Sequence, residues 1–495
     1  MLSKDVLRNV EILYRSDNYH DFINIEYLTE NTFDVKEHSC FICIKGNKFD
    51  SHELLHTFTI KPILIIANKQ IKTDIPYVIV SDTLSVLPLI CANFFENPTH
   101  HLDLIGITGT DGKTTTALII KQLIDNFKSC AYIGTNGFMF QQIQLKNSLT
   151  TPKPNILQQF LSEVLKKKIP YATLEVSSQG LDLHRVDYLK FKVAVFTNLT
   201  HEHLDYHKTI ENYFLSKLKL FQMLSEESYA VVNLDSEPYA SKIMTETKAK
   251  VLTYGKHVDS DFRISHTKTT FKETTFDLIL KDEIYKNIRL NLFGDYNVYN
   301  VTAALATCHA LGFSLDNMIP KLQSLQEIDG RMHIVNCGQP FPVIIDFAHT
   351  PNALNSLLSN ISQVKGKNLT VVFGSAGERD QSKRPLMGKV VDAYASNIIL
   401  TSEDPKSEDT LDIISDITKG IKNVFKVSVI PNRKKAIIKA LEMATHDDIV
   451  VITGKGNEKY EIFNGYIIEH NDIDIVENYL QDKYQEQYIY SIANM

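Results

Sequence analysis

The chain has 495 residues, and its 52 Lys and Arg against 59 Asp and Glu leave a formal charge of −7. With 43% hydrophobic and 22% charged residues it has the composition of a soluble globular protein, of a length that suits about three domains. The acidic balance excludes a general nucleic-acid binder and a polybasic membrane anchor, while leaving room for a local basic pocket. Six cysteines are too few for a disulfide scaffold and suit a reducing compartment. The opening Met1-Leu-Ser-Lys-Asp-Val6 has no apolar signal core, and no run reaches ~18 apolar residues. The expectation is a cytoplasmic protein that inserts in no membrane and acts as a monomer.

Residues 1–97 read as short strands and helices, with β-rich runs at Phe41-Ile-Cys-Ile44 and Tyr77-Val-Ile-Val80. Cys40-x-x-Cys43 has no second pair and reads as two strand cysteines. The polar break around Glu96-Asn-Pro-Thr-His-His101 marks a boundary. A buried strand at 102–107 then enters a glycine-rich loop, and a helix over 116–127 follows. Strands at 171–176, 193–198 and 230–233 alternate with a helix over 213–221, which is the order of a parallel α/β domain. Residues 250–292 alternate as β-hairpins, and a helix over 298–311 ends at Gly312. After a second boundary near Ile328-Asp-Gly330, strands at 343–346, 369–374, 397–401 and 449–454 predict a smaller doubly wound sheet. The fold class expected is therefore α/β in three domains: 1–97, a central P-loop domain over 98–328, and a Rossmann-like domain over 329–495.

Gly106-Ile-Thr-Gly109-Thr110-Asp-Gly112-Lys113-Thr114-Thr115 lies between strand and helix. Glycines let backbone N–H groups converge on phosphate, and the helix presents its positive end. Lys113 would reach the β- and γ-phosphates and the Thr114 hydroxyl a Mg²⁺ ion, so a nucleoside triphosphate is the expected ligand. The first glycine stands one residue early for the strict spacing. Glu175, at the carboxyl edge of a strand, has the oxygen chemistry Mg²⁺ demands. His203 belongs to the cluster His201-Glu-His-Leu-Asp-Tyr-His207. By spacing alone this cluster could serve Mg²⁺, serve zinc through the i, i+4 histidines, or be a solvated loop. By spacing alone Lys217 is an ordinary helix-surface lysine.

Taken together these segments resemble the Mur ligase family, in its UDP-N-acetylmuramyl-tripeptide synthetase branch. The matches run in the family's order. They include the loop at 109–115, Thr150-Thr-Pro152, Glu175-Val-Ser-Ser with Arg185, and Phe196-Thr-Asn-Leu-Thr200 with His203. Glu211-Asn-Tyr with Ser216-Lys217 and Gly294-Asp-Tyr-Asn297 follow. Then come Gly330-Arg331-Met, Asp346-Phe-Ala-His349-Thr-Pro351, Gly374 to Asp380, Glu403-Asp-Pro-Lys406 and Gly454-Lys-Gly-Asn-Glu458.

The resemblance implies an ATP-dependent amide ligase. It would activate the carboxylate of a UDP-MurNAc-dipeptide as an acyl phosphate and join it to a diamino acid, in peptidoglycan precursor synthesis. It implies Lys113, Glu175, His203 and Lys217 as the catalytic set. Two Mg²⁺ ions would be held through Thr114, Glu175 and His203, and Lys217 would be carbamylated by CO₂. ATP would lie on Gly109, Thr110, Gly112, Lys113, Thr114, Thr115, Asn297, Arg331, Asp346 and His349. Asp346 has an alternative as a strand-end cap. The UDP-substrate would meet Thr150, Thr151, Ser177 and Arg185, and the amino acid Arg379, Asp404, Lys406, Gly454 and Glu458.

The selecting loop is Glu403-Asp404-Pro405-Lys406, where the diaminopimelate branch carries Asp-Asn-Pro-Arg. Lys406 keeps the cation without the arginine fork, and Asp404 sets an acid beside it that would disfavour a second carboxylate. On charge matching, meso-diaminopimelate is favoured over L-lysine. Four departures stand out, one of them His201-Glu202 in place of an Arg/Gln-Asp pair. Asn31-Thr32-Phe33 replaces the family's uridine-binding Asp-Ser-Arg, Asp111 replaces an asparagine, and Gln179 a histidine. They leave two alternatives: a Mur-like ligase for another carboxylate acceptor, and a non-catalytic P-loop nucleotide-binding protein.

Overall fold

A computed structural model describes residues 1–46, 50–145, 149–270, 273–281, 283–326, 328, 330, 332–362 and 368–493, with the backbone alone over 485–493. Three main sheets follow one another along the chain. In the first, strands Tyr27–Thr29, Ser39–Ile42, Leu64–Ala67 and Tyr77–Ile79 run parallel, and Tyr14–Arg15 closes the edge antiparallel. Ser39–Ile42 and Leu64–Ala67 are buried at every residue, as parallel strands covered on both faces must be. Cys40 and Cys43 are free and buried there, and burial pushes the Cys43 thiol up to about 12.

The second sheet has eleven strands. Its centre is Asp103–Thr108, flanked in parallel by Tyr171–Glu175 and Phe191–Phe196. Helices Lys113–Asp125 and Asp295–Ala310 share one apolar core beneath it. Pro154–Lys166 and Ile210–Gln222 pack in the core on the other face. The chain crosses to opposite sides of Asp103–Thr108, so the phosphate loop leaves the sheet at a topological switch point, where a crevice opens.

One expectation needs correcting. Lys250–Gly255 belongs to no hairpin: it runs parallel to Tyr229–Asn233, which it reaches through helix Tyr239–Glu246. The antiparallel meander begins only at Phe262–Thr269 and continues through Thr274–Leu280 and Glu283–Leu290. Thr and aromatic alternation marks both kinds of strand, so it could not tell them apart. The helix after the phosphate loop also begins three residues early, at Lys113, because Gly112 takes the left-handed backbone (φ 84°) that turns the loop straight into it.

The third sheet orders His333–Val335, Val343–Asp346, Asp448–Thr453, Asn368–Phe373, Asn397–Leu400 and Val427–Val429, all parallel except the first. A separate hairpin, Tyr460–Phe463 with Tyr466–Glu469, touches Lys406 through a bridge at Phe463. Among the described residues no helix is long and apolar enough to cross a membrane.

Candidate active site

The phosphate loop is held from behind. Thr110 N–H donates to the Asn198 carbonyl (2.9 Å) and Asp111 N–H to Asn198 Oδ1 (2.9 Å). Gly109, at φ 148°, lies so close to Thr197 that a Cβ would stand 1.9 Å from its hydroxyl. Lys113 folds back, its ammonium donating to the carbonyls of Gly109 (2.9 Å) and Thr110 (2.7 Å).

Glu175 is fully buried and is the hub of the site. Its carboxylate accepts from the Thr114 hydroxyl (2.8 Å), the Tyr132 phenol (2.5 Å), Thr135 N–H (3.0 Å) and the Thr135 hydroxyl (3.3 Å). Gly134 leaves room for this carboxylate, since a Cβ there would lie 2.2 Å from Glu175 Oε1. The Glu175 carbonyl accepts from the Thr151 hydroxyl (2.9 Å), which also receives Ser177 N–H (2.9 Å). Arg185 donates to the Thr151 carbonyl (2.9 Å), and Thr150 meets Thr135 at 3.1 Å. All four residues expected on the carboxylate substrate thus surround one strand end. Lys153 beside them pairs with Glu30 of the first domain.

Lys217 is 1% exposed, on helix Ile210–Gln222, and so is no surface lysine. Its ammonium donates to the Gly109 carbonyl (2.8 Å) and sits 4.3 Å from the Tyr213 ring centroid. Burial, then the neighbouring Lys113 charge, push its pKa well below the ordinary lysine value.

The three histidines of the 201–207 cluster face different partners. His207 is bound at both ring nitrogens, to Ser178 (2.9 Å) and Ser216 (3.3 Å). His201 reaches across to Ser382 (3.0 Å). His203 has a left-handed backbone (φ 57°), and burial lowers its pKa to about 4, with Lys217, Lys113 and Arg379 adding to the effect. It is a neutral imidazole, the form that ligates metals. Glu202 accepts from His349 (3.1 Å), which joins the central domain to the C-terminal one. Burial opposes the Glu202 charge, but the His349 bond and nearby cations hold its pKa well below the carboxylate range.

The zinc alternative is not built, because His207 is committed to its serines. Among the described residues no three of His, Cys, Asp and Glu converge on a metal position. Thr114 and Glu175, adjacent and supplying oxygen, instead fit Mg²⁺, which is held by one or two protein oxygens together with phosphate.

Between the two larger domains lies a cavity of about 420 Å³, lined in part by Gly112, Thr115, Asn297, Asp346 and Asn352. Asn297 is fixed by donating to the Phe293 carbonyl (2.9 Å) and accepting from Asn300 (3.1 Å). Asp346 accepts Met332 N–H and Ala348 N–H, both at 2.7 Å; neither amide belongs to a helix, so it caps none, and at the start of helix Pro351–Ser362 the Thr350 hydroxyl accepts Ala353 N–H (3.1 Å) instead. Arg331 lies outside the described residues.

The loop expected to hold the amino acid, Glu403-Asp404-Pro405-Lys406, lies at the carboxyl ends of the third sheet. Glu403 is buried, with a Gly454 Cβ position 2.1 Å from its Oε2. Burial raises its pKa. Asp404 and Glu458 both accept from Lys455, at 2.8 and 2.7 Å. Arg379 is exposed, and it lowers the pKa of Lys406 after burial does. Sequence reasoning assigned no site role to Tyr132, Thr135, Tyr213, Asn198, Asn352 or Lys455. Asn198, Tyr213 and Lys455 carried a usable signal, since each lies within a segment that matches the family.

In the first domain, Asn31 caps its own turn, accepting Phe33 N–H (3.2 Å), and Phe33 is 94% exposed. The sheet persists around a loop whose side chains differ from the family's.

Comparison with known proteins places this geometry. The Mur ligase middle domain matches residues 107–308, and the Mur ligase, glutamate ligase domain matches 330–456. The UDP-N-acetylmuramoyl-L-alanyl-D-glutamate–2,6-diaminopimelate ligase of Bacillus cereus is 38% identical over 448 residues, spanning 88% of this chain and 90% of that protein. Ligase 1 of the same name from Clostridium acetobutylicum is 34% identical over 466 residues, spanning 93% and 95%. A solved structure of a ligase of that name superposes with a TM-score of 0.68 at 27% identity, covering 98% of this chain and 99% of that one. The MurF ligase of Thermotoga maritima in complex with ADP, at 18% identity and a TM-score of 0.68 over 95% and 100%, shares the fold. Two family segments matched in order, and relatives of this identity along nearly the whole chain, mean that the chain belongs to the Mur ligase family.

Proposed function

We propose that the chain is an ATP-dependent ligase that adds meso-diaminopimelate to UDP-N-acetylmuramoyl-L-alanyl-D-glutamate, in the cytoplasm, for peptidoglycan synthesis. The names of the relatives support the substrates. One observation carries the chemistry: Thr114 against Glu175 at 2.8 Å, with Lys113 and Lys217 both donating to Gly109 beside them.

ATP lies with its phosphates on Gly109, Thr110, Gly112, Thr114 and Thr115. Lys113 exchanges its carbonyl partners for the γ-phosphate, neutralising charge as that group leaves. The base and ribose occupy the cavity by Asn297 and Asp346, with Arg331 and His349 completing the nucleotide set. Thr114, Glu175 and His203 would hold two Mg²⁺ ions, which would supply Lewis-acid stabilisation of the transferring phosphoryl group. Thr150, Thr151, Ser177 and Arg185 position the dipeptide carboxylate, which attacks the γ-phosphorus to give an acyl phosphate and ADP. Arg379, Asp404, Lys406, Gly454 and Glu458 orient the diamino acid. Its amine displaces phosphate from the acyl carbon and forms the amide.

The surroundings of Lys217 support a carbamate there. A buried amine beside Lys113 is disfavoured as a cation, and a neutral amine is the form that adds to CO₂. The anion formed would offset the charge of Lys113.

The test is phosphate release with each component omitted in turn. Release requires ATP, Mg²⁺, the UDP-dipeptide and meso-diaminopimelate together, with L-lysine a poor replacement. Release independent of the UDP-dipeptide would overturn the reading. Release with another carboxylate acceptor would favour the specialised ligase, for which the exposed Phe33 in place of the uridine motif speaks.

A further inference from the structure

Lys455 stands between two glycines in the left-handed region, Gly454 at φ 107° and Gly456 at φ 53°. Neither glycine can be replaced freely. A Cβ on Gly454 would lie 2.1 Å from Glu403 Oε2, and one on Gly456 2.6 Å from the Gly330 carbonyl. The turn they make carries the Lys455 side chain to full burial, where its ammonium bridges Asp404 Oδ1 (2.8 Å) and Glu458 Oε2 (2.7 Å). Asp404 Oδ1 also accepts Ile462 N–H (2.9 Å), so the Tyr460–Phe463 strand closes over the pair.

This arrangement reverses the sequence-based view of Asp404. An acid beside Lys406 would repel a second substrate carboxylate if it faced the substrate alone. Here it shares the Lys455 charge with Glu458. The other acids near Lys406 are engaged elsewhere: Glu408 accepts from Arg384 (2.8 Å), and Glu378 from the Ser407 hydroxyl (2.7 Å). Among the described residues no carboxylate forms an ion pair with Lys406 or Arg379. The loop therefore presents two cations, Lys406 and Arg379, that no described carboxylate pairs directly, while Glu378, Asp404 and Glu408 act on Lys406 at longer range. The two diamino acids differ by one carboxylate, hence by one negative charge, and Lys455 is one positive charge.

We propose that Lys455 is a specificity-determining residue: by pairing with Asp404 and Glu458 it leaves Lys406 and Arg379 to receive a second carboxylate, and so selects diaminopimelate over L-lysine. The inference rests on the functional reading above. Lys455 acts through the residues it holds and takes no part in bond making.

The experiment compares kcat/KM for meso-diaminopimelate and L-lysine in wild type, K455Q, K455R and K455Q/D404N. Wild type is assayed first. Turnover of neither amino acid overturns the functional reading, and this inference with it. With wild type active, K455Q should move the ratio towards L-lysine by about 10-fold or more, mostly through KM for diaminopimelate. K455R, which keeps the charge, should hold the ratio within about 3-fold of wild type. Removing Asp404 as well should restore the diaminopimelate preference. Should K455Q not fold, the double variant carries the test, since it removes matched charges and must keep the wild-type preference. Equal loss of both substrates in K455Q, or a ratio in the double variant no nearer wild type than in K455Q, would overturn the proposal.

Discussion

Lys217 and Lys455 are both buried, and their surroundings differ in sign. Lys217 donates to a backbone carbonyl, with Lys113 on the same carbonyl oxygen. Lys455 lies between two carboxylates. Burial disfavours the charge of each. For Lys217 the neighbouring cation adds to that cost, and the pKa falls well below the ordinary value. For Lys455 the carboxylates of Glu458 and Asp404 overcome it, and the pKa rises. A buried lysine whose nearby acids, here Glu202 and Asp111, do not outweigh burial and a neighbouring cation is poised to lose its proton and become reactive, whereas one bridging two carboxylates is a permanent charge that organises its neighbours. The same residue type thus marks a place for chemistry in one domain and a place for recognition in the other.

The largest way to break that contrast is to remove the reactive amine. Lys217→Met should lower kcat by about 10²–10³-fold, the loss typical of one positioned electrostatic group, while ATP still binds. A ¹³C-bicarbonate NMR spectrum should show a carbamate signal in wild type that is missing from the variant. Retained kcat would return Lys217 to a structural role.

Stability should move oppositely at the two sites. Lys455→Met leaves two carboxylates facing each other and should cost about 3–5 kcal/mol. Lys217→Met in bicarbonate-free buffer removes a buried amine whose protonation burial disfavours and should be neutral or stabilising by about 1 kcal/mol. Urea unfolding of both variants measures this, and a large loss in both would erase the distinction.

The pH dependence sharpens it. The folded pKa of Lys217 lies below its unfolded value of 10.5, so between the two the unfolded chain binds the extra proton. Stability should therefore rise with pH towards 10.5, by up to about 1.4 kcal/mol per unit, and Lys217→Met should flatten that rise. Lys455 has the opposite sign: its folded pKa lies above 10.5, so its contribution is full below that value and is lost as pH climbs through the folded one.

Much of this was legible in the chain itself, for physical reasons. The strands at 103–108, 171–175 and 343–346 are buried on both faces and therefore spell continuous apolar runs. Gly112, Lys113 and Thr114 could be read because a phosphate loop leaves few choices of residue. The direction of Lys250–Gly255 could not, since parallel and antiparallel strands share one alternation. The Lys455 bridge was hidden because its two partners lie 51 and 3 residues away. Nor could sequence tell that both Asp346 oxygens would be taken by backbone amides of a cavity wall.

Asp111 was hidden for the same reason, and its place makes the smallest prediction. By charge alone an acid in a phosphate loop looks unhelpful. Its carboxylate is directed away from the loop, accepting from Asn352 Nδ2 (3.1 Å) and the Thr350 hydroxyl (3.4 Å) across the domain boundary. Helix Pro351–Ser362 begins at these residues, so the acid also meets the positive end of a helix. Asp111 is thus a strap between the central and the C-terminal domain. Asp111→Asn keeps an acceptor oxygen but loses the charge, and the net worth of such a bond is about 1 kcal/mol. The variant should raise KM for the diamino acid by about 5-fold, with kcat nearly held, because closure of the two domains is weakened while the phosphate contacts stay. A fall in kcat at constant KM would instead place the Asp111 charge at the transferring phosphoryl group.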